Sequence, residues 1–151
     1  MNMKETLKQK LGCTDKDFIK PLPMPAPWSK PFWEGARQHK LLLKKCKDCG
    51  HIDHPPYLYC TSCSSENCEW VEACGKATLY AYAVNLYGVP LAFIEDLPYV
   101  LALVDLPEGP RMISNIVGCD HKDLKNGMEL EVVFDDVSPE VTLPKWKPVS
   151  K

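Results

Sequence analysis

Apolar and polar positions alternate along the C-terminal half of the chain, with the two-residue period that a half-buried strand requires. Residues 78–84 show the clearest alternation, and residues 99–106 form a nearly continuous apolar run that predicts a buried strand. The predicted strands cover residues 76–87, 99–106, 111–117, 128–134 and 141–149. This half of the chain is therefore predicted to be a β domain.

The segments between these strands contain turn signals. Residues 107–110 are Pro-Glu-Gly-Pro, a turn that makes a hairpin of the second and third strands. Residues 120–127 predict one capped helical turn ended by a glycine. Pro144 and Pro148 interrupt the fifth strand, which predicts an edge or terminal position for it. Five short strands with a helical turn before the fourth fit a small OB-fold barrel better than a sandwich.

The N-terminal part of the chain is predicted to consist of short helical segments joined by an extended arm. Leu7 and Leu11 are spaced for one turn of helix. Residues 21–27 hold four prolines and predict an extended arm in a polyproline-like conformation. Ser29 is a candidate N-cap for a short helix that has Pro31 in its first turn and is rich in aromatic residues.

Two C-x-x-C units lie between the helix and the barrel. Cys46 and Cys49 form one pair, and Cys60 and Cys63 form the other. Ten residues lie between the two pairs. Such pairs form tight turns that bring four thiolates into a tetrahedron around one metal ion, and Gly50 stands where such a turn commonly needs a positive φ. The spacing predicts a closed, structural zinc site. The predicted domains are thus an arm and helix over 1–40, a zinc ribbon over 41–75 and the OB-fold over 76–151.

The cysteine pairs could also belong to a redox site or an iron site. A redox C-x-x-C would begin a helix in a βαβ unit, whereas both pairs lie among prolines and turn residues. A rubredoxin-like iron site has the same spacing and stays open. His51 and His54 are weaker candidate ligands, expected to lie on the ribbon surface, and Cys68 and Cys74 are weaker still. Cys13 and Cys119 are expected to be ordinary core or surface residues.

Composition narrows the function classes. The chain has 151 residues, a formal net charge of -2 and eight cysteines. Because acidic residues outnumber basic ones, no basic field is available to hold a nucleic-acid backbone. No apolar run approaches the length of a membrane span, and the N-terminus has no signal-peptide pattern, so a soluble, cytoplasmic protein is expected. In the reducing cytosol, metal binding is favoured over disulfides.

Catalytic signatures are missing from the sequence. It has no nucleophile elbow, phosphate-binding loop, dinucleotide fingerprint or zinc-hydrolase motif. Cys119 and His121 are the nearest Cys–His combination, but such close spacing rarely lets a histidine activate a thiol. Tyr80, Tyr82 and Tyr87 raise an alternative, a single-strand nucleic-acid-binding module that stacks bases on aromatic side chains.

The order of motifs resembles the domain-of-unknown-function 35 (DUF35) family, whose members join a rubredoxin-like zinc ribbon to an OB-fold associated with acyl-CoA. The resemblance covers about residues 28–149. The matching motifs are PFWEG (31–35), KCKDCGH (45–51), PP (55–56), CTSC (60–63), WVE (70–72), GKATLYAY (75–82), PYVLALV (98–104), NIVGC (115–119), NGM (126–128) and EVVF (131–134).

The resemblance implies a subunit that is not an enzyme on its own. Members are similar to accessory subunits of archaeal acetoacetyl-CoA thiolase, steroid side-chain aldolases and benzoylsuccinyl-CoA thiolase, so a thiolase-like partner in a hetero-oligomer is expected. A CoA thioester would be bound by or near that partner, and neither a membrane nor a nucleic acid is expected as a partner. The proline arm with Trp28, Phe32 and Trp33 is the candidate contact surface, and packing of these aromatics against the ribbon is an equally open alternative.

Overall fold

Two helices and eight strands make up the regular structure in a computed structural model, which describes residues 2–150. The helices are α1 (Met3–Leu11) and α2 (Lys30–Arg37). The strands are β1 (Leu42–Cys46), β2 (Ile52–Asp53), β3 (Cys68–Glu72), β4 (Lys76–Asn85), β5 (Tyr99–Asp105), β6 (Arg111–Ile116), β7 (Glu129–Asp136) and β8 (Thr142–Pro148). The mainly β fold predicted from the sequence is confirmed.

The last five strands form a closed barrel in the order β4-β5-β6-β8-β7, with β7 pairing back to β4. Alternate side chains point inward, as the two-residue period requires. Leu79, Val104, Leu130 and Trp146 are each at most 1 % exposed and fill the interior. All five predicted barrel strands are present, within a few residues of their predicted ends.

β8 is the last strand of the chain, but the expectation that it lies at an edge is wrong. This strand pairs with β7 along its whole length and closes the barrel through a parallel pairing of Trp146 with Ile116. A proline lacks only the N–H donor, so its carbonyl still accepts hydrogen bonds. The Pro144 carbonyl accepts from the Ser114 hydroxyl at 2.7 Å, and the Trp146 carbonyl accepts from the Val117 N–H at 2.8 Å. These contacts let a strand with two prolines lie between two neighbours.

A second, three-stranded sheet carries the cysteine pairs, in the order β2-β1-β3 with antiparallel pairing. Its apolar side packs on the barrel: Leu43 of β1, together with Leu41 and Ala73 just outside the strands, belongs to the same buried cluster as the barrel interior. Phe32 of α2 lies in that cluster too and is 5 % exposed. Ribbon, helix and barrel thus share one core, and the division into 1–40, 41–75 and 76–151 stays a prediction.

The N-terminal part runs back over the loop between β4 and β5. The Asn2 side chain caps α1, and Thr14 begins a short 3₁₀ turn, Asp15–Phe18. Lys20 pairs with Asp96 at 2.7 Å on the 3₁₀ turn that precedes β5. The arm is extended as predicted up to Pro27, where a 3₁₀ turn begins.

One detail of the predicted helix start is wrong. Helix α2 begins at Lys30, but the Ser29 hydroxyl donates to the Ala26 carbonyl at 3.0 Å instead of accepting from the helix. The preceding 3₁₀ turn places Ser29 in a helical conformation, from which its side chain does not reach the first free N–H groups.

Candidate metal centre

Four cysteine sulfurs converge at one end of the three-stranded sheet. The Sγ atoms of Cys46 and Cys63 are 3.6 Å apart, as are those of Cys49 and Cys60. All four lie within 4.8 Å of one another. Four thiolates at about 2.3 Å from one zinc ion would be about 3.8 Å apart, so the spacing fits a tetrahedral site. The four cysteines are positioned for metal binding.

The same backbone turn presents each pair of sulfurs. In the first pair, the Gly50 N–H donates to the Cys46 carbonyl at 3.0 Å, and in the second, the Ser64 N–H donates to the Cys60 carbonyl at 2.9 Å. The residue after each second cysteine is left-handed, with φ of 76° at Gly50 and 63° at Ser64. The positive φ predicted at Gly50 is confirmed, and the second turn repeats it without glycine.

Ser64→Gly is expected to stabilise the ribbon. A side chain at positive φ is strained, and glycine removes that strain at the cost of a more flexible unfolded chain. We expect a net gain of about 0.5 kcal/mol in the free energy of unfolding, measured by chemical denaturation of the metal-loaded protein. The matched change Gly50→Ala puts a Cβ at the equivalent position and is expected to destabilise. A Ser64→Gly variant less stable than the parent would contradict the strain argument.

The environment of the sulfurs favours a bound cation. Backbone N–H donation from Cys49 lowers the pKa of the Cys46 thiol to about 6. The Ser65 N–H also favours a thiolate at Cys63, but the neighbouring sulfurs of Cys49 and Cys46 outweigh it and raise the pKa of Cys63 to about 12. Four sulfurs this close are not all deprotonated without a compensating positive charge, which a divalent metal ion supplies.

Carboxylates on the ribbon hold the two cysteine turns together. Asp48, in the first turn, accepts hydrogen bonds from the Ser65 hydroxyl and, at 2.8 Å, from the Asn67 amide. These donors lower the pKa of the Asp48 carboxyl. Asp53 of β2, 6 % exposed, accepts from the hydroxyl and the N–H of Thr61 in the second turn. The sulfur positions are therefore fixed by hydrogen bonds outside the metal site.

Sequence reasoning missed a further support, Lys44. Its Nζ donates to the carbonyls of Tyr57 at 2.6 Å and Leu58 at 3.0 Å, in the loop that leads to Cys60. The preceding bond, between His54 and Pro55, is cis. A lysine at a half-buried strand position has no special signal in the sequence, so only the folded chain reveals this contact.

The weaker candidate ligands stay outside the cluster. Among residues 2–150, the four cysteines are the one group of metal-binding side chains close enough to share an ion, and it includes neither Cys68 nor Cys74. Burial raises the pKa of the Cys68 thiol, whose residue faces Cys46 across β1 and β3. His51 is exposed, as expected.

His54 departs from the expected surface position. Its ring packs 5.4 Å from that of Phe32, and burial lowers its pKa to about 4. The prediction placed it on the ribbon surface, but helix α2 covers this side of the ribbon. His54 is therefore a neutral, half-buried imidazole at neutral pH.

The other candidate residues have structural roles. Cys119 makes no hydrogen bond to His121 within the described chain, and partial desolvation together with the nearby carboxylates of Asp123 and Asp120 raises the pKa of its thiol. The Arg111 guanidinium covers the Tyr80 ring at 3.3 Å, and the Tyr82 hydroxyl donates to the Leu124 carbonyl. Tyr87 lies beyond the end of β4. Since Arg111 covers the Tyr80 ring and the Tyr82 hydroxyl is bonded to the backbone, the nucleic-acid alternative is not favoured.

The two lysines of β8 are paired with carboxylates of β7. Lys145 pairs with Asp135, and Lys147 pairs with Glu131 at 3.1 Å. A groove for a phosphate backbone needs cations that are not already neutralised. These pairings agree with the balance of charge along the chain and weigh against nucleic-acid binding.

Two family models divide the ribbon and the barrel between them. Residues 33–69 match "ChsH2, rubredoxin-like zinc ribbon domain", and residues 70–135 match "ChsH2, C-terminal OB-fold domain". A "DUF35 domain-containing scaffold protein" of Methanocaldococcus jannaschii is 33% identical over 104 residues, which are 68% of this chain and 73% of the relative. The chain belongs to the DUF35 family.

Further relatives are subunits of enzymes that act on CoA thioesters. A "Benzoylsuccinyl-CoA thiolase subunit BbsA" of Thauera aromatica is 32% identical, over 69% of this chain and 66% of the relative. A "Probable enoyl-CoA hydratase alpha subunit" of Thermomonospora curvata is 37% identical over 78% of this chain. The DUF35 chain spans only about a third (36%) of that hydratase subunit.

A solved structure has the same fold. The match is to a chain of "Ltp2-ChsH2(DUF35) aldolase", with a TM-score of 0.76 and 34% identity. It covers 84% of this chain and 98% of the other. The ribbon and barrel therefore form a unit that occurs nearly alone in one chain of that structure.

Within residues 2–150, every helix is too short or too polar to cross a membrane.

Proposed function

We propose that this DUF35 protein is a non-catalytic, zinc-binding scaffold subunit of a thiolase-type complex that forms or cleaves carbon–carbon bonds in acyl-CoA substrates. The observation that carries the proposal is the match to a scaffold protein over 73% of that protein's length. Its relative BbsA is a subunit of a thiolase, and the aldolase is a second carbon–carbon enzyme among its relatives. The acyl group would be of the benzoylsuccinyl, acetoacetyl or steroid class.

Zinc is the metal that best suits the four cysteines. Cys46, Cys49, Cys60 and Cys63 would hold it, and four protein thiolates leave no coordination position for water or substrate. When bound, the ion supplies cohesion to the ribbon and no Lewis-acid chemistry. The site therefore supports a scaffold and not a catalytic centre.

The thiolase-like partner would supply the reacting groups. Such an enzyme needs a cysteine nucleophile and a base within hydrogen-bond reach of it. In residues 2–150 the Cys119 thiol has a raised pKa and no such base, and Cys46, whose thiol has a lowered pKa, belongs to the cysteine cluster. This DUF35 protein would act by holding its partner and the CoA thioester in place.

A surface for this partner lies where the proline arm crosses the ribbon and barrel, which we call the arm cavity. It measures about 580 Å³. Met24 is 95% exposed, Trp28 44% and Ile113 59%. Phe32, expected at the contact, is instead buried in the core, and Trp33 packs on it with ring centroids 5.1 Å apart. We propose that Trp28 is the main aromatic contact, because large half-exposed aromatics dominate interface energies.

Purification of the tagged full chain from its native source at low salt tests this proposal. We expect a thiolase-like protein to co-purify in fixed stoichiometry, with carbon–carbon cleavage or formation activity on an acyl-CoA that is present in the complex and absent from the DUF35 protein alone. Trp28→Ala is expected to weaken the association by at least about tenfold.

Tyr87→Ala is the matched control, since Tyr87 is 84% exposed and lies outside the arm cavity. It should leave the complex intact. Recovery of the chain as a monomer, or with single-stranded nucleic acid in place of an acyl-CoA enzyme, would contradict the proposal.

A further inference from the structure

A fifth cysteine, Cys68, stands beside the four-cysteine cluster without belonging to it. It begins β3 and lies directly opposite Cys46, the last residue of β1, in the pairing of these two strands. Cys68 is half-buried, whereas Cys46 is 1 % exposed. Among residues 2–150, the group whose sulfurs are close enough to share an ion consists of the other four cysteines. When those four hold a zinc ion, Cys68 is therefore left as a free thiol next to one of the ligands.

The hydrogen bonds around this pair show which kind of cross-strand pair it is. In an antiparallel sheet, hydrogen-bonded and non-hydrogen-bonded pairs alternate. The Lys47 N–H donates to the Asn67 carbonyl at 2.8 Å, so the residues next to the two cysteines form a hydrogen-bonded pair. The Cys46 N–H points away from β3 and donates to the His51 carbonyl at 2.8 Å. Cys46 and Cys68 are therefore a non-hydrogen-bonded pair.

A disulfide between these two cysteines needs no movement of the strands. Directly opposed residues of a non-hydrogen-bonded pair have Cα atoms about 4.5 Å apart and side chains on the same face of the sheet. Disulfides bridge Cα atoms that are about 4.4–6.8 Å apart. The bond would use the Cys46 sulfur, which is one of the four metal ligands. The disulfide and a closed four-thiolate zinc site therefore exclude each other.

We propose that Cys68 and Cys46 form a disulfide when the protein reacts with a peroxide, and that this bond releases the zinc ion. The Cys68 sulfur gives up its proton and attacks one peroxide oxygen. The O–O bond breaks, Cys68 becomes a sulfenic acid and water leaves. The Cys46 thiolate then leaves the metal and attacks the Cys68 sulfur, so that the S–S bond forms and hydroxide leaves. Together the two sulfurs lose two electrons, which the peroxide gains.

The first oxidation is assigned to Cys68 because it is the more accessible of the two thiols and is not a metal ligand. Its half-buried position makes this step slow. The ribbon would thus keep its zinc under reducing conditions and lose it under sustained exposure to peroxide. A thiol reductant reverses the disulfide by exchange, after which zinc can bind again.

Treatment of the zinc-loaded full chain with hydrogen peroxide tests the proposal. Released zinc is read with a colorimetric chelator, free thiols are alkylated, and disulfide-linked peptides are identified by mass spectrometry. Cleavage with trypsin and Glu-C places Cys46 on residues 46–47, Cys68 on residues 67–69 and the other three ligands on residues 48–66. The three kinds of disulfide are therefore distinguishable by mass.

We expect one zinc ion to be released for each disulfide formed, with the Cys46–Cys68 peptide pair as the main product. Dithiothreitol and zinc should restore the metal-loaded chain. The competing products are disulfides within the cluster, Cys46–Cys63 and Cys49–Cys60, whose sulfurs are 3.6 Å apart. Either of these as the main product, or zinc that stays bound while Cys68 is oxidised, would overturn the proposal.

Cys68→Ser separates this role from a structural one. Serine is similar in size but cannot form the disulfide, so zinc release at the same peroxide concentration is expected to slow about tenfold. Zinc content and melting temperature without peroxide should match the parent, because Cys68 is not a ligand. The matched control is Cys74→Ser, at an exposed cysteine just beyond the other end of β3, which should release zinc as the parent does. Release from Cys68→Ser as fast as from the parent would overturn the proposal.

Discussion

Replacing Cys46 by serine is expected to abolish metal binding and unfold the three-stranded sheet. Cys46 is 1 % exposed, ends β1 and pairs with β3, so its loss removes a metal ligand at the centre of the ribbon. Structural zinc contributes roughly 10–16 kcal/mol of binding free energy in small zinc modules, comparable to the whole stability of a domain. The measurements are the zinc content per chain by mass spectrometry and the amide NMR signals of β1–β3.

The effect should extend beyond the ribbon. Leu43 of β1 is 1 % exposed and shares the barrel's buried cluster, so unfolding the ribbon is expected to destabilise the barrel and release the proposed partner. Partner activity would fall although no catalytic group is lost.

Cys119→Ser serves as the matched control, since Cys119 is exposed and distant in sequence from the four ligands. It should retain one zinc per chain. A Cys46→Ser protein with a folded ribbon, or a complex that stays fully active after complete zinc removal, would contradict the structural role of the metal.

Trp146→Ala is expected to have the second largest effect. The Trp146 side chain is fully buried, at 0% exposure, on the strand that closes the barrel. Removing a buried tryptophan leaves a large cavity and costs about 3–5 kcal/mol. We expect the melting temperature of the metal-loaded protein to fall on the order of 10 °C, measured by calorimetry.

Two further variants test whether the loss of stability comes from the buried Trp146 side chain. Lys147→Ala changes a neighbouring residue of β8 whose side chain is 43% exposed, and it should cost little. Trp146→Phe should cost less than Trp146→Ala, because it keeps most of the apolar volume and removes an Nε1–H that has no partner in residues 2–150. A Trp146→Ala variant as stable as Lys147→Ala would show that the barrel core is not centred on this residue.

The barrel strands were predictable because their signal is local. Each strand that has one side in the core carries a two-residue alternation, as in β4, and the buried β5 carries an apolar run. The geometry of the two cysteine turns was predictable for the same reason, since each C-x-x-C turn is made by a few consecutive residues. The tetrahedral spacing of the sulfurs then follows from pairing two such turns.

Contacts between distant segments were not predictable. The position of β8 between two strands depends on how the barrel closes, and its prolines signalled an edge instead. His54 was placed at the surface, and Phe32 was left open between a partner contact and packing on the ribbon, because nothing local shows that α2 packs on the ribbon. Glu108 and Cys74 are 34 residues apart, so no sequence pattern indicates their hydrogen bond.

The sequence by itself thus determined the four cysteines that are positioned for metal binding, the barrel strands and the family. Only the tertiary structure decided which aromatic side chains are buried and where polar atoms stay without partners. The physical reason is the distance along the sequence between the residues that interact. Turn geometry and strand periodicity are set by neighbouring residues, whereas burial and hydrogen-bond pairing are set by whichever segments the closed barrel and the ribbon bring together.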